Sequence, residues 1–283
     1  MFRILEKHML NPTVSQIAID APLIARKAEA GQFIILRAKE NSERMPLTIA
    51  GYNRNAGTIQ LIFQVIGAGT TELNTLQQGD SIQDCVGPLG QPTHVDGLRK
   101  VCVVGGGVGC AIAMPIAKKL HDLGAEVHAV IGFRTKALVI LEQEFRAISK
   151  ELRLMTDDGS HGEKGLVTTA LEALIQAGND YDAVIAIGPL VMMKFVSLLT
   201  RKYGIKTIVS MNPIMVDGTG MCGGCRLTVG GETKFACVDG PDFDGHLVDF
   251  DEAISRSRMY DEFEVRARED SCRLMKTEDP YHA

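Results

Sequence analysis

The sequence predicts three folded parts in series: an antiparallel β-barrel, an α/β domain built on a doubly wound parallel sheet, and a small cysteine-rich domain. Short apolar runs separated by glycine turns fill the first third of the chain, which is typical of a barrel. Strands then alternate with helices, and a Gly- and Cys-rich segment follows. We therefore place the barrel at 1–98, the α/β domain at 99–212, the cysteine-rich domain at 213–250 and surface helices at 251–283.

The composition is that of an ordinary globular protein. Of 283 residues 45% are hydrophobic and 23% charged, the formal net charge is -5, and Lys and Arg form no block, so we expect no nucleic-acid partner. The segment from Met1 to Leu10 lacks a signal-peptide core, and no stretch is apolar enough to cross a bilayer. We therefore expect a cytoplasmic protein without a membrane partner. Seven cysteines then indicate metal ligation or free thiols rather than disulfides.

In the barrel region, apolar runs between glycine turns predict five strands, and Thr and Glu residues allow one helical turn at Gly69–Leu76. The predicted strands are Gln16–Ile19, Gln32–Leu36, Leu47–Ala50, Thr58–Val65 and Ser81–Val86.

In the α/β region, buried strands alternate with helices, which favours parallel strands with right-handed crossovers. The predicted strands are Val101–Val104, Val127–Gly132, Leu152–Thr156, Ala183–Ile187 and Lys206–Ser210. The predicted helices are Ala111–Leu120, Leu138–Lys150, Leu166–Ala177 and Val191–Tyr203.

The strongest chemical signal is the set Asp217, Cys222, Cys225 and Cys237, separated by four, two and eleven residues. Closely spaced thiolates on a Gly-rich loop suit a two-iron cluster, because backbone N–H groups can point at its sulfurs. A zinc site or free buried thiols are the alternatives. The segment Met215–Asp239 offers little to bury, so we expect something other than a hydrophobic core, such as a bound metal, to hold it together. The charges after Asp251 indicate a solvated face.

A run of glycines follows the first predicted strand of the α/β domain. Gly105, Gly106, Gly107 and Gly109 lie between a strand and a helix, where a turn can bring a pyrophosphate against the helix N-terminus. The spacing is not the standard dinucleotide fingerprint, and a simple tight connection is the alternative.

Other candidate residues at strand ends are Gly188, Met192, Arg134 and Asp157. Ligands of open sheets bind at the carboxyl edge, so these residues could contact ribose or phosphate. Core packing by the methionine and loop capping by the charged residues are the alternatives.

Two segments of the barrel could bind a flavin. Arg44, Pro46, Leu47 and Thr48 combine a cation with a hydroxyl-bearing strand, and Gly69, Thr70 and Thr71 offer N–H and O–H donors to a pyrophosphate. Ordinary turns are the alternative for both.

The order of these parts resembles the ferredoxin-NADP reductase superfamily from about residue 3 to residue 250. It is most similar to the branch that contains the electron-transfer subunit of dihydroorotate dehydrogenase and the small subunit of NADH-dependent reduced ferredoxin:NADP oxidoreductase. These proteins end their cluster motif with Cys-x-Asp-Gly-Pro, which stands here as Cys237-Val238-Asp239-Gly240-Pro241. Asp217 in place of a cysteine resembles the oxidoreductase and sulfide dehydrogenase proteins. Met45 stands where the superfamily usually has its flavin arginine, and Arg44 is the neighbouring substitute.

The resemblance implies FAD, a 2Fe-2S cluster and NAD(H), with NADP(H) as the alternative nucleotide. It also implies a heterodimer or higher assembly with a larger subunit that carries flavin and 4Fe-4S clusters and delivers electrons to ferredoxin. Hydride transfer needs no catalytic acid or base, so we nominate none. A sulfide dehydrogenase small subunit, a dihydroorotate dehydrogenase subunit and a nucleotide-sensing zinc module stay open as alternatives.

Overall fold

The first part of the protein is an antiparallel sheet of seven strands that closes almost into a barrel. The structure is a computed structural model that describes residues 1–267. The strands lie in the order β6-β1-β2-β5-β4-β3-β7. Their bounds are β1 Phe2–Asn11, β2 Val14–Asp20, β3 Phe33–Arg37, β4 Met45–Asn53, β5 Thr58–Gln64, β6 Ser81–Ile82 and β7 Asp84–Leu89. Two helices accompany them, α1 Pro22–Lys27 and α2 Ala68–Thr75.

This sheet confirms the barrel, but two of its elements escaped prediction. Strand β1 was missed because its charged residues hide the period of two, although Ile4 is fully buried. Helix α1 was missed because it is short; Pro22 starts it, and only Ile24 and Ala25 are buried. The helical turn expected at 69–76 is α2.

The second part is a sheet of seven strands in which only the last edge strand is antiparallel. Its first elements are β8 Lys100–Gly106, α3 Gly109–Asp122, β9 Glu126–Phe133, α4 Glu142–Ile148, β10 Glu151–Thr156 and β11 Glu163–Lys164. They continue with α5 Val167–Gln176, β12 Ala183–Ile187, α6 Leu190–Lys202 and β13 Thr207–Ser210. The central order β10-β9-β8-β12-β13 confirms the doubly wound sheet and reverses between β8 and β12.

One predicted helix was too long. The pattern predicted a helix over Leu138–Lys150, whereas the chain forms a short 3-10 helix at Lys136–Leu138 and α4 begins at Glu142. Leu141 has a φ of 58°, a left-handed conformation that no helix can pass through. The apolar spacing continues across this break because the residues on both sides pack into the same core.

The third part packs on the second. Its elements are β14 Arg226–Val229, β15 Glu232–Phe235, β16 Asp242–Asp244 and α7 Phe250–Ser257. Strand β16 extends the α/β sheet beside β13, and β14 and β15 form a hairpin. The expectation that this segment has little to bury was wrong, since Met215, Leu227 and Ala236 are buried in the core under the α/β sheet. Metal is therefore not its only support.

No helix within residues 1–267 has the length and apolar character needed to cross a membrane.

Candidate functional site

The first element of the site is a cavity of about 290 Å³ between the barrel and the α/β domain. Its barrel wall includes four residues that the sequence predicts to bind flavin: Pro46, Leu47, Thr48 and Thr70. The opposite wall is formed by the start of α3 and by the segment 210–213 that follows β13. A mostly apolar slot beside a hydroxyl-bearing strand fits a planar isoalloxazine ring.

The turn before α2 binds an anionic side chain. The Thr71 hydroxyl donates to the Gly67 carbonyl at 2.8 Å, and the Thr70 hydroxyl accepts the Gly67 N–H at 3.1 Å. The Glu43 carboxylate accepts the Gly69 N–H at 2.5 Å. Free N–H groups and the helix dipole favour negative charge at this position, so the turn fits a pyrophosphate in place of the carboxylate.

The arginine predicted to assist the flavin lies outside this cavity. Arg44 is exposed, one residue before β4, and it is not among the residues of the lining. Met45, which stands three residues before Thr48, is 6% exposed and packs inside the barrel. The role of Arg44 at the flavin stays a prediction.

The glycines after β8 lie at the point where the strand order reverses. Gly105 and Gly106 are the last residues of β8, and Gly107 has a φ of 55°. A Cβ atom on Gly109 would lie 2.5 Å from the carbonyl oxygen of Ile187 at the end of β12. Glycine is therefore required for the close approach of α3 to the neighbouring strand, which leaves the helix N-terminus facing the crevice.

The other nucleotide candidates share this edge. A Cβ atom on Gly188 would lie 3.1 Å from the Cα of Gly106, and the Met192 thioether packs over the same glycine. Arg134 follows β9 and Asp157 follows β10, both exposed, and the Asp157 N–H donates to the last residue of β9 at 3.1 Å. The topology thus brings these residues to the carboxyl edge, where open sheets bind ligands. Their individual roles stay predictions.

The three cysteines of the predicted cluster lie on one loop system. The Sγ atoms of Cys225 and Cys237 are 3.2 Å apart and both residues are buried. The Cys237 N–H donates to the Cys225 Sγ at 3.4 Å, and the Gly224 N–H donates to the Cys222 Sγ at 3.4 Å. Burial and the neighbouring Cys225 raise the pKa of Cys237 to about 12, so a bound metal has to displace its proton.

Asp217 is tied to the same loop through its carboxylate. Its oxygens accept the N–H of Thr219 at 2.7 Å and the N–H of Cys222 at 2.8 Å. These donors, Thr219 first, hold the pKa of Asp217 below its usual value. Within residues 1–267, no three His, Cys, Asp or Glu residues converge on a position for one metal ion. A two-iron cluster requires no such position, because its four ligands are divided between two irons.

The flavin cavity and the cluster loop are neighbours. Met211 and Pro213 line the flavin cavity and also a second cavity of about 320 Å³, whose wall includes Cys222. The loop also touches the barrel directly, since a Cβ atom on Gly218 would lie 2.8 Å from the Cγ1 of Ile35. One short segment after β13 therefore separates the two sites.

A buried carboxyl group, missed by the sequence reasoning, lies beside this segment. Asp242 pairs with Ser210 in the sheet, and its Oδ2 accepts the Thr93 hydroxyl at 2.6 Å. Its Oδ1 is inaccessible and has no hydrogen-bond partner within the described residues. Burial raises the pKa of Asp242, against the opposing effect of the Thr93 and Ser210 hydroxyls. The carboxyl group thus joins the interdomain linker, the α/β sheet and the third part.

Sequence reasoning also missed the far wall of the flavin cavity. Asn212 and Pro213 were interpreted only as a domain boundary, but they line the cavity together with Met211. The available signal was their position at the carboxyl end of a parallel strand, where ligands of such sheets bind.

The remaining cysteines of the described residues are inert. Cys85, Cys102 and Cys110 are free and buried, and burial raises the pKa of each thiol. Cys272 lies outside the described residues.

Fold and site together define a two-domain flavin and nicotinamide nucleotide reductase with an appended iron-sulfur domain. The family described as the iron-sulfur cluster binding domain of dihydroorotate dehydrogenase B matches residues 212–249. The dihydroorotate dehydrogenase B electron transfer subunit homolog of Thermotoga maritima is 45% identical over 97% of this chain and 95% of its own length. The electron transfer subunit of Geobacillus thermodenitrificans is 34% identical over 85% of this chain and 94% of its own length.

A solved structure gives the same result. The NADH-dependent reduced ferredoxin-NADP oxidoreductase, solved for insight into flavin-based electron bifurcation, superposes with a TM-score of 0.90 at 43% identity, over 95% of this chain and 97% of the other. The chain therefore belongs to the family of dihydroorotate dehydrogenase B electron-transfer subunits within the ferredoxin reductase fold. The resemblance drawn from the sequence is confirmed. As a member of this family it is an NAD(P)H-dependent oxidoreductase with FAD and a 2Fe-2S cluster, and the residues described above fit these groups.

Proposed function

We propose that the chain is the small subunit of an electron-bifurcating, NADH-linked ferredoxin:NADP oxidoreductase. In this role it exchanges a hydride with NAD(H) and passes single electrons to a larger subunit that carries flavin and 4Fe-4S clusters. The larger subunit then delivers electrons to ferredoxin. Support comes from the structural match at 43% identity over nearly the whole length of both chains.

The observation that carries the proposal is the shared wall of the flavin cavity and the cluster-side cavity. Met211 and Pro213 contribute to both, so a flavin ring and a cluster would be separated by little more than one segment of chain. When bound, FAD accepts a hydride and releases electrons singly, and a 2Fe-2S cluster carries one electron at a time. The protein's contribution is to hold the two groups close together and away from water.

Different residues would bind the flavin ring, the pyrophosphate and the nicotinamide nucleotide. Thr48 and the segment 210–213 enclose the slot for the ring, and the turn before α2 offers N–H groups to the pyrophosphate. The crevice between Gly106 and Gly188 would orient the nicotinamide nucleotide at the reversal of the strand order. None of these steps requires a proton-transfer group.

The four cluster ligands would divide into two pairs. Cys225 and Cys237, with sulfurs 3.2 Å apart, would hold one iron. Asp217 and Cys222, linked by the 2.8 Å hydrogen bond from the Cys222 N–H, would hold the other. A carboxylate is a harder donor than a thiolate, so this pairing places the unusual ligand on one iron only.

The composition of the purified chain tests the proposal. We expect bound FAD, two irons and two acid-labile sulfides per chain, an electron paramagnetic resonance signal on reduction, and dye reduction with NADH. A colourless protein with stoichiometric zinc would contradict it.

The ligand role of the aspartate has its own test. Asp217→Ala should keep FAD and lose iron, whereas Asp217→Cys should keep the cluster with altered g values, since a thiolate replaces the carboxylate. Asp239→Ala is the matched control, because Asp239 also accepts a loop N–H, from Phe235 at 2.7 Å, but is not a proposed ligand. Equal iron content and unchanged spectra in Asp217→Ala would remove Asp217 from the ligand set.

A second candidate is the electron-transfer subunit of a dihydroorotate dehydrogenase, which the names of several relatives favour. The two functions differ in the larger subunit. Mass spectrometry of the intact complex from the native host decides between an orotate-forming chain and a flavin and 4Fe-4S chain as the partner.

A further inference from the structure

Helix α7 makes contact with the cluster loop, although its sequence predicts a solvated surface helix. The family match ends at residue 249, and α7 begins at Phe250. Phe250 is buried, and the Glu252 carboxylate accepts the Thr228 N–H at 3.0 Å. The helix is thus fixed against the hairpin that follows Cys225, and its residues Ala253, Arg256 and Ser257 line the cavity whose wall includes Cys222.

Two arginine side chains contact the glycine pair that lies between the proposed ligands Cys222 and Cys225. The Nη2 of Arg256 donates to the Gly224 carbonyl, and the Nη1 of Arg226 donates to the Gly223 carbonyl, both at 3.4 Å. Both arginines line the cavity of about 320 Å³ whose wall includes Cys222. Among the ion pairs formed by residues 1–267, none involves either arginine, so no carboxylate of the described residues lies within 4.0 Å of their guanidinium nitrogens.

A cation in this position has an electrostatic consequence. One-electron reduction by an external reductant such as dithionite adds one negative charge to the site and breaks no bond. A nearby positive charge stabilises the reduced form more than the oxidised form and so raises the midpoint potential. The effect is greater where apolar walls limit water, and the cavity also has Leu190, Met211 and Ile214 on its lining.

We propose that Arg256, supported by Arg226, is a positioning residue that holds the Cys222–Cys225 peptide and sets the midpoint potential of the cluster through its charge. This inference rests on the proposed function, because it requires a cluster on this loop. Helix α7 then contributes to electron transfer through one side chain rather than acting as a surface appendage.

Redox titration of the full-length, FAD- and iron-loaded chain, followed by electron paramagnetic resonance, tests the proposal. Arg256→Gln should shift the midpoint potential downward, and Arg256→Lys should restore most of the shift. Arg258→Gln is the matched control, because Arg258 is exposed at the same helix end and does not line the cavity. It should leave the potential at the wild-type value. Raising the salt concentration should shrink the difference between wild type and Arg256→Gln.

Several outcomes overturn the proposal. Equal shifts in Arg256→Gln and Arg258→Gln would indicate bulk surface charge, and an Arg256→Lys variant as low as Arg256→Gln would exclude the charge as the cause. Should Arg256→Gln lose its iron, Arg226→Gln decides, since it removes the second guanidinium and should also lower the potential. An unchanged potential in Arg226→Gln would then refute the inference. Wild-type protein without a 2Fe-2S cluster would instead refute the proposed function.

Discussion

Substitution of Gly109, the first residue of α3, tests the proposed nucleotide site. A Cβ atom on Gly109 would lie 2.5 Å from the Ile187 carbonyl oxygen and 2.7 Å from the Gly188 Cα. Both neighbours are main-chain atoms, so no side chain can rotate away. Ordinary contact begins at 3.4 Å, so Gly109→Ala must separate the start of α3 from the end of β12 by about 0.9 Å.

This displacement has a cost that can be estimated from packing. Overpacking a close contact costs roughly 1–3 kcal/mol, and about 1.4 kcal/mol corresponds to a factor of ten in affinity. The displaced atoms are the α3 N–H groups that would face the nucleotide, so the cost should fall mainly on binding. We expect Gly109→Ala to weaken NADH binding by about 5- to 150-fold, with any remaining cost appearing as a lower melting temperature.

The dependence of the rate of flavin reduction on NADH concentration, followed by anaerobic stopped flow with the FAD-loaded chain, gives the affinity, and calorimetry measures the melting temperature. Gly204→Asn is the matched control: Gly204 follows α6, is not among the residues proposed to bind the nucleotide, and has a φ of 66° with nothing within 4 Å of its Cβ position, a conformation that Asn tolerates. The control should bind NADH within about twofold of wild type. The explanation would be wrong if Gly109→Ala kept wild-type affinity and stability, or if the control lost as much affinity. Either result would mean that the close approach of α3 to β12 does not require glycine at position 109.

Three further predictions concern the other cofactor sites and the buried carboxyl group. Glu43→Gln should bind FAD about two- to fivefold more tightly, because the competing charge at Gly69 is worth roughly 0.3–1 kcal/mol; unchanged FAD affinity by fluorescence titration would argue against this competition. The raised pKa of Asp242 means that the native state keeps a proton that the unfolded chain loses, so stability should fall as pH rises from about 4 to the native pKa and then level off. Asp242→Asn should lack this fall in thermal unfolding, and an identical pH profile would disprove the assignment. Cys222→Ala should lose iron while Cys110→Ala keeps it, since only the former thiol lies on the cluster loop, and iron analysis distinguishes them.

Local patterns predicted most of the architecture. The strand Ala183–Ile187 was predicted to the residue, since a fully buried strand is one uninterrupted apolar run. The Cys222–Cys225 spacing likewise predicted the cluster loop, because ligands close in sequence must be close in space. By contrast, strand β1 alternates too weakly for such a signal, since only Ile4 is buried in its pattern.

What escaped prediction depends on contacts between distant residues. The Thr93 hydroxyl bonds Asp242, and the Arg256 guanidinium contacts the Gly224 carbonyl, across separations of 149 and 32 residues. Neither contact leaves a period or a spacing in the sequence. The contact of Glu43 with the turn before α2 also leaves no such signal. Its carboxylate accepts the Gly69 N–H, which the sequence analysis had assigned to a pyrophosphate.

In the third part of the protein, the hydrophobic core and the metal stabilise different segments of the chain. Strand β16 is hydrogen-bonded to β13, and the Met211 N–H donates to the Pro241 carbonyl at 2.8 Å, so the chain on the carboxyl side of Cys237 is fixed without iron. Buried Leu227 fixes the hairpin in the same way. The Asp217 loop, by contrast, is held by hydrogen bonds from its own N–H groups and by whatever its ligands bind. The core therefore positions Cys225 and Cys237, and the metal has to order only the loop that carries the other two ligands.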